Sequence, residues 1–137
     1  MIRDATTADI PRIVDMMQRF HAIASQPQEF CRDSMASFMT GLIEAPGGIV
    51  LICDGGMISG AVTPSPVNAK WLICFELSWW SERARDGVRL MKTFAERAEI
   101  MGASEIRFSF RASTPKIGKF LIKSGFTHDE QVYTRLI

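Results

Sequence analysis

The sequence predicts an α/β (α+β) fold: a mixed, mostly antiparallel central sheet of six to seven strands flanked by about four helices. Three observations carry that expectation. Trp71 to Trp80 is a dense apolar run interrupted by one acid, Glu76, and reads as a central strand covered on both faces. Val88, Met91, Phe94, Ala95, Ala98 and Met101 then recur at spacings of three and four among charged residues, the pattern of an amphipathic helix. Asp54-Gly55-Gly56, set between the apolar runs Ile49–Cys53 and Met57–Val62, is a hairpin signal.

The other elements follow in order. Met1 to Ala5 is a short strand candidate. Thr7 or Asp9 caps a helix that carries Pro11 in its first turn, where the missing N–H costs nothing. Ile10, Ile13, Val14, Met17, Phe20 and Ala24 form its apolar face, and Pro27 lies in the break that follows. A second helix runs from about Arg32 to Glu44 and stops at Ala45-Pro46-Gly47-Gly48. Thr63 to Ala69, with Pro64 and Pro66, is a loop. Gly102 closes the helix after the central strand, and Glu105 to Phe110 alternates as another strand. Ser113 or Thr114 caps a helix with Pro115 at its start, Gly125 stops it, and Phe126 opens a final hairpin to Ile137. The predicted order is β-α-α-β-β-β-α-β-α-β-β within one domain over residues 1–137.

Composition narrows the function. With 137 residues, 47% hydrophobic and 23% charged, the chain has the make-up of an ordinary folded domain. A net charge of +1 argues against a nucleic-acid partner. Cys31, Cys53 and Cys74 lack C-x-x-C spacing and histidines number two, so neither a disulfide framework nor a metal site is expected, and a cytoplasmic setting fits best. No apolar run reaches the roughly 18 residues that a membrane span needs.

Between the central strand and its helix lies a short basic bend, Ser81 to Asp86, ending at Gly87. Strand, bend and helix aim unpaired N–H groups and the positive end of a helix dipole at an anion. Arg83, Arg85 and Arg89 either strengthen a phosphate site there or pair as a solvated helix start with Glu82 and Asp86. Glu76 is the candidate general base, since burial raises a carboxylate toward neutrality; the alternative is a strand residue paired with an arginine. Trp79 and Trp80 read as core and sheet-edge packing.

IRDATTADIPRIVDMM, VLICDGGMISGAV, FELSWWSERARDGVRLMKTFAERAEIMGASEI and KIGKFLIKSGFTHDEQVYTRLI together resemble the GNAT superfamily, the acetyl-coenzyme A-dependent N-acetyltransferases. WW before the bend and the terminal EQVYTRLI resemble small phage-encoded members in particular. The resemblance implies transfer of an acetyl group to a primary amine by direct attack, with Glu76 or a water chain as base and Tyr133 as a candidate proton donor. It implies that acetyl-CoA lies where the central strand parts from the next parallel strand. Backbone of Leu77, Ser78, Trp79 and Trp80 would meet pantetheine. The N–H groups of Arg83, Ala84, Arg85, Asp86, Gly87, Val88 and the Arg89 side chain would meet phosphates, and Thr114 would close the site from the last helix. The acceptor is a small-molecule or protein amine, and a homodimer is compatible with the pattern.

The bend departs from the family's Gln/Arg-x-x-Gly-x-Gly/Ala. RARDGV puts Asp86 at the first glycine and Val88 at the small position, and a carboxylate near a diphosphate repels it unless it caps its own helix. Thr114 and Leu121 stand where the family often has an Asn and a proton-donating Tyr. The competing expectation is therefore a catalytically silent GNAT-fold protein that serves as an interaction or regulatory module.

Overall fold

The computed structural model describes all 137 residues. Its elements are β1 (Arg3–Asp4), a 3-10 turn (Thr7–Asp9), α1 (Ile10–Ala24), α2 (Arg32–Glu44), β2 (Gly48–Cys53), β3 (Gly56–Pro64), β4 (Leu72–Ser81), α3 (Ala84–Ile100), β5 (Glu105–Arg107) and α4 (Pro115–Lys123). They build one five-stranded sheet in the order β1-β2-β3-β4-β5. Neighbours pair antiparallel except β4 and β5, which are parallel and joined through α3.

Alternation along the strands sends side chains to two cores. Val50, Ile52 and Met57 meet Ile13, Met16 and Met17 of α1 and Met39 and Leu42 of α2. Ile49, Leu51, Ile58 and Cys74 meet Leu90, Phe94 and Ala98 of α3 on the other face. β2 is therefore buried on both sides, which is why it reads as a continuous apolar run. Fully burying the Phe94 ring contributes about 2–3 kcal/mol.

The chain start is pinned by Asp9. Its carboxylate accepts from the Thr6 N–H at 2.8 Å and from both Arg3 Nη atoms at 2.7 and 2.8 Å. That arrangement closes the 3-10 turn ahead of α1.

Three expectations are corrected. The sheet has five strands, not six to seven, because no strand forms over residues 126–137. The segment Thr127-His128-Asp129-Glu130-Gln131 has no glycine or asparagine for the positive-φ positions of a tight hairpin. The strand expected over Glu105 to Phe110 ends at Arg107. The helix expected from Val88 begins four residues earlier, at Ala84. Ala84 and Arg85 are strong helix formers and Asp86 is favoured in a first turn by the dipole, so only Glu82 and Arg83 remain between strand and helix.

Candidate functional site

The site is built where β4 and β5 part. The last parallel pair is Phe75 with Arg107; β4 then continues to Ser81 with no strand on that side. Glu76 is the first residue past the fork. It is buried, and its Oε2 accepts from the Ser109 N–H at 3.4 Å, so a carboxylate bridges the parting strands where a backbone ladder would otherwise continue. Burial raises the Glu76 carboxyl to about 7, and the long hydrogen bond from Ser109 offsets this only in part. No arginine pairs with it, which removes the ion-paired reading of this residue. Its neighbour Cys74 is raised to about 11, by burial first and by the Glu76 charge second.

A β-bulge aims Glu76. Ser59 pairs with Ser78 and Gly60 pairs with Glu76, leaving Leu77 as an extra residue in β4. Leu77 is 47% exposed as a result, while Ser78 turns to the opposite face and its hydroxyl bonds that of Ser59. Gly60 is required here: a Cβ on it would collide with the Phe75 carbonyl and the Phe94 ring. The bulge is absent from the sequence expectations, and its signal was a glycine inside a strand pattern.

Beyond the bulge the tryptophans diverge. Trp79 lies on the α3 side, with its ring 5.6 Å from Phe108 and 6.4 Å from Phe120, and its Nε1 donates to the Gly87 carbonyl at 3.1 Å. Trp80 lies on the α1 side, in edge contact with Phe20 at 6.3 Å and beneath Arg19 at 6.0 Å; its Nε1 is buried without an acceptor. Both rings pack.

The basic bend is tighter than the sequence suggests. The Asp86 and Gly87 N–H groups donate to the Arg83 carbonyl at 3.0 and 3.1 Å. Ala84 and Arg85 open the helix, so their N–H groups have no partner within it. Asp86 is buried and accepts from Arg83 Nε at 2.8 Å, with Arg89 at 3.9 Å. Its carboxylate faces the β2–β3 turn, where a Cβ at Gly55 would come within 2.9 Å of Oδ2. Arg83, Arg85 and Arg89 line a pocket of about 220 Å³ with Asp54 and Asp86, three cations against two anions. Gly87 is buried against Ser81, and Val88 is half-buried.

Two expected site residues hydrogen-bond within their own segments. The Thr114 hydroxyl donates to the Arg111 carbonyl at 2.9 Å and serves its own turn. Tyr133 is 87% exposed in the C-terminal segment and donates to Gln131. No cluster of His, Cys, Asp and Glu has metal-site geometry, and no helix is long and apolar enough to cross a membrane.

No protein-family model and no curated protein sequence matches the chain. Solved structures do. A protein from Bacillus halodurans C-125 described as a transcriptional regulator superposes with a TM-score of 0.83 at 16% identity, over 100% of this chain and 99% of that one. An aminoglycoside acetyltransferase from an uncultured soil metagenomic sample, in complex with trehalose, gives 0.75 at 14% identity, over 100% and 94%. The fold is the acetyltransferase fold. The same aminoglycoside acetyltransferase in complex with sisomicin gives 0.74 at 14% identity. At these identities the likeness establishes architecture, and the site must argue for the chemistry.

Proposed function

We propose that the protein is an acetyl-CoA-dependent N-acetyltransferase of the GNAT type, acting on a primary amine. The observation that carries this is Glu76: an unpaired carboxylate, buried at the fork of two parallel strands and raised to about 7. A group poised there is half ionised near neutral pH and suits proton abstraction.

The residues present fit the cofactor. The open edge of β4 from Leu77 to Ser81 offers backbone groups to an amide-bearing arm, and the N–H groups of Ala84 and Arg85 open a helix toward an anion. Arg85 has no ion-pair partner and is free to meet phosphate, whereas Arg83 is held by Asp86. When bound, acetyl-CoA supplies an activated acetyl thioester. Glu76 takes one proton from the incoming ammonium and leaves a neutral amine able to attack; the further proton the nitrogen sheds on becoming an amide balances the thiolate released as the carbon–sulfur bond breaks, which gives free thiol. The buried fork limits water around the carboxylate and so keeps its affinity for that proton high. Positioning by the β4 edge supplies the rest of the rate.

The acceptor is a small-molecule or protein amine; one structural neighbour is named for aminoglycosides, which are themselves polyamines. The second reading, a silent module, is favoured by one observation, the Arg83–Asp86 ion pair set in the bend. Single-turnover release of free thiol from acetyl-CoA with a primary amine present tests the first reading. A rate in wild type that falls at least about 100-fold in Glu76→Gln is expected. An unchanged rate removes Glu76 as the base, and no release with any amine favours the silent module.

A further inference from the structure

Four polar or charged side chains are buried in this protein, and three of them, Ser59, Glu76 and Ser78, sit around the bulge in β4. Glu76 is taken up by the proposed chemistry; the two serines are not. Ser59 is fully enclosed and Ser78 nearly so, and their hydroxyl oxygens lie 2.5 Å apart. Ser78 donates onward to the Met57 sulfur at 3.8 Å, which leaves Ser59 as the donor to Ser78. The pair stands in one row with Val50, on the face of the sheet that packs against α1 and α2.

The register of β4 depends on where its extra residue falls. On one side of the bulge Gly60 faces Glu76 and Ala61 faces Phe75; on the other Ser59 faces Ser78 and Ile58 faces Trp79. A strand without the extra residue would carry Leu77 to Ser59, and Ser78 to Ile58 on the face that packs against Leu90 and Phe94. The apolar pattern does not forbid this. Met57 would still meet a tryptophan, Trp79 in place of Trp80, and Leu77 would bring an apolar side chain to the α1 side. The hydroxyls do forbid it. The slip sends them to opposite faces and leaves both buried without a partner, a larger loss than the hydrogen bond itself. A buried polar pair that is satisfied in one register is a means of specifying that register.

That register keeps the fork open. Parallel pairing starts at Ile73 with Glu105, so an unbent β4 would continue it with Glu76 beside Phe108 and Leu77 beside Ser109. Phe108-Ser109-Phe110 has the alternation to take part. The bulge bends β4 away, and the Ser109 N–H goes to the Glu76 carboxylate instead. We propose that Ser59 and Ser78 are positioning residues whose hydroxyl pair holds the bulge at Leu77 and so keeps β4 and β5 from closing over the site. The value of this to catalysis rests on the acetyl-transfer reading, whereas its readouts need neither cofactor nor amine, so the two can fail separately.

Residue-resolved hydrogen exchange and NMR titration of the Glu76 carboxyl, in wild type and in Ser59→Ala/Ser78→Ala, test it. The double variant removes both hydroxyls, leaves no orphan and loses the preference for the bulged register. Its Ser109 and Phe110 amides are expected to exchange at least about tenfold slower than in wild type, because they join a ladder. Glu76, still buried but without the Ser109 N–H, is expected to titrate above its wild-type value of about 7. A pair that only adds stability to the core predicts faster exchange at 109 and 110. Either readout unchanged, or moved the other way, overturns the proposal. Ser78→Ala alone leaves Ser59 unpartnered in both registers; it is expected to move both readouts in the same directions, and it decides the matter if the double variant does not fold.

Discussion

Glu76→Gln reads out the physical state of the fork directly. The carboxyl stands near 7 in the folded protein against an ordinary value of 4.5. Each unit of difference is worth 1.36 kcal/mol, so deprotonating Glu76 in place costs the folded state about 3 kcal/mol, as an order of magnitude. The sign follows from proton counting. Between pH 4.5 and 7 the folded protein holds this proton and the unfolded chain has lost it, so stability falls as pH rises through that window and levels off above it. Asp4 and Asp9 are held low by Arg97 and Arg3 and act the opposite way, losing stability only in stronger acid. Subtracting the variant's profile from the wild-type profile isolates Glu76, because those carboxylates are common to both. Urea unfolding at pH 5, 6, 7 and 8 is the assay. Glutamine keeps an acceptor for Ser109 and carries no charge, so between pH 5 and 8 the variant gains on wild type by up to about 3 kcal/mol, on a profile lowered at every pH by about 1 kcal/mol for an unpartnered amide donor. Parallel profiles would refute the burial argument, and with it the base assignment.

Other outcomes follow from single residues. The kcat/KM of wild type should rise with slope one below pH 7 and reach a plateau above it, as expected of a base at about 7. Gly60→Ala drives a methyl into the Phe75 carbonyl and the Phe94 ring; chemical denaturation should show a loss of roughly 1–3 kcal/mol or more. Asp86→Asn keeps the volume but releases Arg83, and titration calorimetry should show acetyl-CoA binding about fivefold tighter. A thiol reagent should modify one cysteine of three in the native protein. Cys31 is exposed and its thiolate is favoured by the Ser34 N–H and hydroxyl, whereas Cys53 and Cys74 are buried.

Periodic patterns transferred well from sequence to structure. β2, β3, β4, α1 and α2 declare themselves because their periods are long enough to be read and nothing in the tertiary structure opposes them. What failed was local. The start of α3 depends on whether Ala84 and Arg85 join a helix whose strongest signal lies downstream. The end of β5 depends on Glu76 taking the Ser109 amide away from a ladder. The final hairpin expected from Phe126 fails because residues 127–131 are all polar and offer a strand no apolar face to bury. Glu76 itself was legible as an acid inside an apolar run. Its unpaired state was not, because pairing depends on where Arg107 goes, and Arg107 is engaged by Glu105 and Glu130. Asp86 was legible as a misfit in the bend; that it turns to the β2–β3 hairpin and binds Arg83 is a three-dimensional fact.

Titration calorimetry of the full chain with acetyl-CoA, and separately with coenzyme A, probes the fork and the helix start together. Occupancy of the open β4 edge and the Ala84–Arg85 amides predicts one site per chain with a Kd of roughly 10–100 µM, weakened by added salt. No heat and no thermal stabilisation at millimolar cofactor, a Kd well above about 1 mM, would contradict it.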